Sequence, residues 1–167
     1  VYRQEDCMTV IAVPYDTPII GYNSDKVNTL RLWSAKSPKY LDMSWFSRGD
    51  YVRATEEKEL AEVISKVLYP EDNHREGKAL RLKQHYFFVS ASMQCIISND
   101  KKNYGDLGTL PDRVAIQIND THPALAIPEM MRILLDEEGM DWDTAWSITT
   151  RTFAYTNHTI MSEALER

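Results

Sequence analysis

The chain has 167 residues, of which 43% are hydrophobic and 26% charged, fractions typical of a globular protein long enough for one ordinary domain. Its formal net charge of −6 argues against a general affinity for nucleic acid or for an anionic membrane surface. No apolar run approaches the roughly 20 residues that a membrane-spanning helix needs.

The two cysteines, Cys7 and Cys95, lie in apolar contexts and have no zinc-like spacing. We therefore interpret them as buried structural thiols of a protein in a reducing, cytoplasmic compartment. The chain begins with Val1 rather than Met, and it stops directly after a dense motif. We expect it to be an internal piece of a longer protein, and no signal peptide is visible in it.

The first third of the chain predicts a pair of strands. The apolar, β-branched run at residues 9–14 predicts one strand, and the proline-flanked residues 14–18 predict a loop. A second strand is predicted over residues 27–33, with apolar residues in both alternate sets, so that both of its faces are expected to be buried. Residues 38–54 predict an irregular connector.

Two helices are predicted next. Apolar residues at helical spacing predict a helix over residues 56–68, which Pro70 ends. The polar residues 71–77 predict a loop, and residues 78–98 predict a long helix. Residues 98–111 are rich in Asn, Asp and Gly and predict another loop.

The remainder of the chain alternates strands with helices. The predicted elements are a strand at 114–118, a helix whose apolar residues run from Leu125 to Leu134, a helix over 142–149 capped by Asp141, and a strand at 152–156. This alternation favours an α/β fold with a mostly parallel sheet.

Polar turns follow the two strands of this second half, at residues 119–123 (Asn-Asp-Thr-His-Pro) and from Asn157 onwards. In parallel α/β sheets, ligands collect beyond the carboxyl ends of the strands, so Asp120, His122 and His158 are expected near one cleft. Two plainer interpretations stay open. Residues 119–123 also suit a helix N-cap, and His158 also suits a buried histidine with a structural hydrogen bond.

Few other segments of the sequence indicate ligand binding or catalysis. The basic run at residues 78–83 offers a host for an anion, or simply a solvated helix start. No glycine-rich phosphate loop, nucleophile motif or metal-ligand spacing is present. We expect no metal.

Longer blocks of sequence carry a resemblance to a known family. They are residues 13–18 with 27–36 (Val-Asn-Thr-Leu-Arg-Leu-Trp-Ser-Ala-Lys), 67–73 with 76–84, and 114–129 with 154–159 and 163–167. Taken together and in this order, they resemble the α-glucan (glycogen, starch or maltodextrin) phosphorylases over nearly the whole chain.

The resemblance implies a two-lobed glycosyltransferase of the GT-B type that carries pyridoxal 5′-phosphate. Such an enzyme transfers glucose from an α-1,4-glucan to orthophosphate and releases α-glucose 1-phosphate with retention. The whole chain, residues 1–167, would be one piece of the N-terminal lobe. It would lack the start of that lobe and the entire C-terminal lobe, whose lysine holds the cofactor, so we expect no cofactor on this piece and no activity from it alone.

The resemblance also implies roles for individual residues. Asp72 and Asn73 resemble a mobile gate loop over the catalytic site, and His158 resembles the catalytic-site residue whose backbone carbonyl faces the reacting sugar carbon. The remaining residues implied to bind substrate are Arg81, Asp120, His122 and Thr159. The helix near residues 51–67 resembles a homodimer contact.

Some positions depart from the family pattern. His74 and Arg75 stand where animal enzymes carry two aromatic residues, and residues 98–101 lack the paired arginines of nucleotide-regulated enzymes, so we infer no AMP control through this region. Two other hypotheses remain at this point: a non-catalytic glucan-binding or dimerisation module, and another GT-B enzyme such as a glycogen synthase.

Overall fold

The computed structural model describes residue 5 and residues 7–162. The chain divides into two compact units, with the boundary between Phe87 and Phe88. That boundary lies inside one long helix, which therefore contributes to both units. Within the described residues, no helix is both long and apolar enough to cross a membrane.

A hairpin of two antiparallel strands, β1 (Ile11–Ile20) and β2 (Val27–Lys36), opens the first unit. Both strands were predicted, and both extend further than their apolar runs indicated. The loop predicted at residues 14–18 is wrong, since these residues are the middle of β1.

Two prolines explain why the sequence pattern was misleading here. Pro14 lies opposite Trp33, and Pro18 lies opposite Thr29. In a two-stranded sheet each strand keeps one edge without a ladder partner, and alternate residues turn their N–H groups to that edge. The Ala35 N–H donates to Ser65 Oγ rather than to its partner Ala12, so Ala12 and residues an even number of positions from it turn outwards from the ladder. Both prolines therefore fall on the outer edge of β1, where no hydrogen bond is lost.

Two helices replace the connector predicted over residues 38–54. Asp42 caps α1 (Met43–Ser47), and Asp50 caps α2 (Tyr51–Lys66). Each carboxylate accepts hydrogen bonds from backbone N–H groups of the first helical turn, which satisfies donors that the helix itself leaves unpaired. The connector prediction was therefore wrong, because aspartates that suggested a loop act as caps.

The helix α2 packs against β2. Ala35 of β2 is only 1% exposed, and its N–H donates to Ser65 Oγ of α2 at 2.8 Å. On the opposite face of β2, Leu30 and Leu32 are 50% and 61% exposed. The expectation that both faces of this strand are buried is therefore wrong within the described structure.

The long helix α3 (Arg75–Tyr104) begins earlier and ends later than the predicted range of 78–98. Residues 98–104, predicted to start a loop, belong to it. The buried Asp100 accepts two hydrogen bonds of 2.8 Å from Arg113, whose guanidinium lies 4.2 Å from the centre of the Tyr104 ring. Arg113 lies beyond the end of the helix, so the composition of residues 98–104 alone did not indicate that this contact holds them in α3.

The second unit holds a parallel pair of short strands. β3 (Ile116–Asn119) pairs with β4 (Phe153–Thr156), and Ile116 lies opposite Phe153. The chain between them forms α4 (Ala126–Arg132), which continues as a π-helical turn, and then α5 (Trp142–Thr152). The α/β class and the parallel pairing of these strands are confirmed, whereas a mostly parallel sheet is not: one described sheet is parallel and the other antiparallel.

Side chains from the second half of α3, from a 3₁₀ helix at Leu107–Asp112, from β3 and from the crossover helices form one apolar core in this unit. Its most deeply buried members are Leu110, Ile118, Met130, Leu134 and Ala145. As predicted, Asp141 caps α5 by accepting from the Thr144 N–H at 3.0 Å. The core thus holds the crossover against β3 and fixes where the two strands end.

The two cysteines are more accessible than predicted. Cys7 is exposed, and Cys95 on α3 is half-buried. The interpretation as buried thiols is therefore wrong for Cys7, because apolar neighbours in sequence do not bury a residue that precedes the packed strand.

A charged network is buried in the second unit. Glu129 is 3% exposed, and its carboxylate accepts hydrogen bonds from Ser90 Oγ at 2.7 Å and from Arg132 Nε at 2.8 Å. Gln94 Nε2 donates to Ser90 Oγ at 2.8 Å. A carboxylate at this depth depends on all of these donors, so the network ties α4 to α3.

We expect Glu129→Gln to destabilise the protein by about 3 kcal/mol, because the substitution leaves the Arg132 charge without its buried partner. That loss corresponds to a decrease in Tm of about 6–12 °C for a chain of this size. Glu137→Gln is the matched control, since Glu137 pairs with the same arginine at 2.8 Å but is 50% exposed. Equal Tm values for the two variants would contradict the assignment of stability to the buried network.

The Asp100 pair predicts a pH dependence of stability. Hydrogen bonds from Arg113 hold the pKa of the Asp100 carboxyl below its ordinary value. The stabilisation is therefore complete above the unfolded-chain pKa of about 3.9 and is lost as the pH falls through the lower folded-state pKa. Thermal unfolding of wild type and Asp100→Asn should differ most near neutral pH and converge in acid. Asp136→Asn, at an exposed position, should show no such convergence.

Candidate functional site

The two polar turns meet at the carboxyl ends of the parallel strands. The N–H of Asp120, the first residue after β3, donates to the Thr156 carbonyl at the end of β4 at 2.8 Å. From two residues before the end of β3, Gln117 Nε2 donates to Thr156 Oγ1 at 2.6 Å. The expectation that both turns open on the same edge is confirmed, because the strands are parallel and in register.

His158 lies in the turn after β4 and is exposed, so the interpretation as a buried structural histidine is wrong. Its Nε2 is hydrogen-bonded to Oδ1 of Asn119, the last residue of β3. An amide oxygen only accepts, so Nε2 is the donor in this contact. This contact joins the two turns through their side chains.

Residues on both sides of His158 close a small turn of their own. Asn157 Nδ2 donates to the Thr159 carbonyl at 2.8 Å, and the Thr159 N–H donates to Asn157 Oδ1 at 2.9 Å. Such an asparagine turn fixes the main chain without a regular helix or strand.

The turn after β3 does not cap a helix through its side chains. α4 begins only at Ala126, and its N-cap is Leu125 with no side-chain hydrogen bond. Asp120 has a left-handed backbone with φ of 66°, and its Oδ1 accepts from the Thr121 N–H at 2.8 Å. The capping interpretation is therefore wrong, because residues 121–126 form tight turns before the helix starts.

His122 points an exposed ring towards the same turn. Its Nε2 lies 3.9 Å from Asp120 Oδ2, and the two side chains are 47% and 18% exposed. This separation is too long for a direct hydrogen bond. Asp120, His122 and His158 thus belong to one polar region, with Thr159 at its margin.

Asp72, Asn73 and Arg81 belong to the other unit. Arg81 Nη1 pairs with Asp72 Oδ2 at 2.8 Å, and Asn73 Nδ2 donates to Glu71 Oε1 at 2.6 Å. The candidate residues therefore form two groups, each within its own unit. One group is at the polar turns after β3 and β4, and the other is at Asp72, Asn73 and Arg81.

The loop of residues 67–74 is attached to one face of α3. Gly77, Arg81 and Gln84 are spaced as i, i+4 and i+7, which puts them in one row along the helix. The Gly77 N–H donates to Nδ1 of His74 at 2.9 Å, and Gln84 Nε2 donates to the Val67 carbonyl at 2.8 Å. The row thus contacts the loop at its two ends, and Arg81 contacts Asp72 in its middle.

These contacts also bear on the basic run at residues 78–83. Arg81 is engaged by Asp72, and its guanidinium lies 5.9 Å from the centre of the Tyr69 ring. Lys78 and Lys83 are exposed on the helix surface. The solvated helix start fits this arrangement better than a cluster that binds an anion.

An apolar pocket of about 220 Å³ also lies in the second unit. It is lined mainly by Ile118, Ile127, Trp146, Phe153 and Tyr155, and none of the candidate residues contributes to it. Among the described residues, no group of three or more His, Cys, Asp or Glu side chains could hold a metal ion. The polar turns, rather than the pocket, carry side chains that can both donate and accept hydrogen bonds.

Sequence reasoning from spacing missed Asn119 and Asn157 as members of this site. Both were visible as polar residues at strand ends, but the side-chain contact between Asn119 and His158 spans 39 positions of the chain. Only the parallel register brings these residues together.

Comparison with known proteins identifies the family. The carbohydrate phosphorylase family model matches residues 1–167. The brain form of glycogen phosphorylase from Bos taurus is 56% identical over 173 aligned residues, which cover 99% of this chain and 20% of that protein. The muscle form from Homo sapiens is 55% identical over 170 residues, which cover 97% of this chain and again 20% of the relative.

The chain thus spans about a fifth of the length of these relatives. The match nevertheless extends over both units and includes both groups of candidate residues. The chain therefore belongs to the carbohydrate phosphorylase family.

Proposed function

We propose that the protein carrying this chain is an α-1,4-glucan phosphorylase. It transfers the terminal glucosyl unit of a glycogen-like or maltodextrin-like glucan to orthophosphate and releases α-glucose 1-phosphate. The observation that carries this proposal is the family match over residues 1–167, together with 55–56% identity to glycogen phosphorylases. The polar turns at the ends of parallel strands support it, since this is where α/β proteins bind their ligands.

In this proposal the turns after β3 and β4 form one wall of the glucosyl pocket. The hydroxyl groups of a sugar need both donors and acceptors, and Asp120, His122 and Thr159 supply them. The backbone carbonyl of His158 faces the reacting carbon. Its dipole favours the positive charge that develops on an oxocarbenium-like centre as the glycosidic bond breaks.

We include in the proposal that the loop of residues 67–74 acts as the gate loop of the full-length enzyme, as its resemblance to the family implies. Asn73 is exposed, and one of its amide hydrogens is engaged by Glu71, which leaves the amide able to bind a sugar hydroxyl. Arg81 and Asp72 form an ion pair that braces the loop from α3. A loop held by a few side-chain contacts rather than by a core is well suited to opening and closing.

The family implies pyridoxal 5′-phosphate, and the residues of the two polar turns do not fit a covalent site for it. Asn119, Asp120, His122 and His158 include no amine that could form a Schiff base with its aldehyde. In the proposed enzyme this cofactor is held by a lysine elsewhere in the protein. The described α/β units would be part of the N-terminal lobe of a GT-B enzyme.

We include a homodimer through α2 in the proposal, and a cytosolic location. The helix has large apolar side chains in contact with solvent: Val52 and Leu60 are 80% and 52% exposed. Exposed apolar groups of this size are favourable contact points for a second subunit. A module that only binds glucan or only dimerises is the alternative, and it predicts no turnover.

The test is phosphate release from glucose 1-phosphate in the presence of a maltodextrin primer. The full-length gene product loaded with pyridoxal 5′-phosphate should release phosphate, and it should lose this activity when the cofactor is removed. Residues 1–167 alone should be inactive. A loaded full-length protein that neither releases phosphate nor phosphorolyses glucan would refute the proposal.

We expect Asn73→Ala in the full-length protein to lower kcat by about tenfold to a hundredfold, the equivalent of about 1.4–2.8 kcal/mol of transition-state stabilisation. Tm should change little, because Asn73 is exposed in a loop. Asn103→Ala, at an exposed position of α3, is the control and should keep wild-type kinetics. A normal kcat for Asn73→Ala would remove this residue from the gate.

Gly77→Ala tests the attachment of the gate loop to α3. A Cβ atom at this position would lie 1.8 Å from the Glu71 carbonyl oxygen, so the loop backbone must move. We expect a loss of activity at least as large as that of Asn73→Ala, since the whole loop is displaced. Gly21→Ala is the control, because its Cβ meets nothing closer than Ser24 Cβ at 3.3 Å. Wild-type kinetics for Gly77→Ala would show that the loop conformation does not affect turnover.

A further inference from the structure

Two asparagines surround His158 in complementary ways. Asn119, at the end of β3, contacts the imidazole ring through its Oδ1. Asn157, directly before His158, contacts the main chain on the far side of it, at the Thr159 carbonyl and N–H, at 2.8 and 2.9 Å. The side chain and the backbone of His158 are therefore held by different residues.

The Asn157 contacts restrain the peptide groups on either side of His158. Both hydrogen bonds span from the side chain of residue 157 to the main chain of residue 159, so His158 lies inside the closed turn. A rotation about φ or ψ of His158 would separate Thr159 from Asn157 and break both bonds. The direction of the His158 carbonyl is thus fixed by a side chain that need not touch the substrate.

The Asn119 contact restrains the ring. Because Asn119 Oδ1 only accepts, the contact requires an N–H at Nε2. Asn119 is itself fixed, since it is the last residue of β3 and lies opposite Thr156 in the parallel register. The position of the ring is therefore set by the end of the neighbouring strand.

These contacts contribute little to the stability of the fold. Asn119, Asn157 and His158 are all exposed, and water competes for every one of their hydrogen bonds. Their effect is to select one conformation at the edge of the sheet before a ligand arrives. Such preorganisation is useful where a dipole must face a developing charge.

We propose that Asn119 and Asn157 are positioning residues for His158: Asn119 fixes its ring and protonated nitrogen, and Asn157 fixes the direction of its carbonyl. This inference rests on the proposed phosphorylase function and goes beyond it, because neither asparagine is required to contact the sugar. A misplacement of about 1 Å in a reacting geometry can lower a rate by about a hundredfold.

The experiment measures kcat and KM for phosphorolysis with the cofactor-loaded full-length protein. Asn119→Leu and Asn157→Ala should each lower kcat by about tenfold to a hundredfold, with KM for maltodextrin within about twofold of wild type and Tm nearly unchanged. Asn119→Asp keeps an oxygen acceptor for Nε2 and should recover most of the activity lost in Asn119→Leu.

Gln117→Leu is the matched control. It removes a side-chain hydrogen bond of 2.6 Å between the same two strands without touching His158, and it should keep wild-type kcat. Wild-type kcat in both Asn119→Leu and Asn157→Ala would overturn the inference, as would equal losses in Asn119→Leu and Asn119→Asp. An inactive wild-type protein would instead refute the proposed function, so the two failures are distinguishable.

Discussion

The parallel pairing of β3 with β4 is the constraint on which the candidate site depends. Parallel strands present their carboxyl ends at the same edge, but they need a long crossover between them. Here α4, the π-helical turn and α5 provide it, and they pack around Leu110, Met130 and Leu134. An antiparallel pairing of the same segments would separate Asn119 from His158 by the length of a strand.

Short strands are sufficient because the core, rather than the sheet, holds them. Each of these strands has four residues, and Ile118 is the deeply buried member of β3. The charged network at Glu129 adds directional hydrogen bonds to this packing, since Ser90 of α3 and Arg132 of α4 both donate to the carboxylate. The exposed polar turns therefore extend from elements that are stabilised both by apolar packing and by a buried network of satisfied hydrogen bonds.

The sequence predicted those elements whose signals are local. The strands at the two ends of the crossover were found because apolar, β-branched runs precede polar turns, and α5 was found because Asp141 is a strong N-cap. The failures have non-local causes. β1 continues through Pro14 because of its free edge, and α3 continues through Asp100 because Arg113 is folded back upon it.

For the site, spacing alone predicted the shared edge of the two turns but not the contacts within it. The roles of Asp72, Asn73 and Arg81 came from the resemblance, because a loop conformation held by Gly77 and Gln84 leaves no periodic trace in the sequence. Asn119 was overlooked for a similar reason. Its partner lies 39 positions away, and only the register of two strands relates them.

The prolines of β1 have one more consequence. A two-stranded sheet presents two open edges, and an open edge is a template on which another extended chain can pair and start aggregation. On the outer edge of β1, Pro14 and Pro18 remove alternate N–H donors, so an incoming strand finds an interrupted ladder. The hairpin exposes Leu30 and Leu32, but the prolines disfavour its self-association along that edge. The same two prolines are the reason that the sequence predicted a loop there.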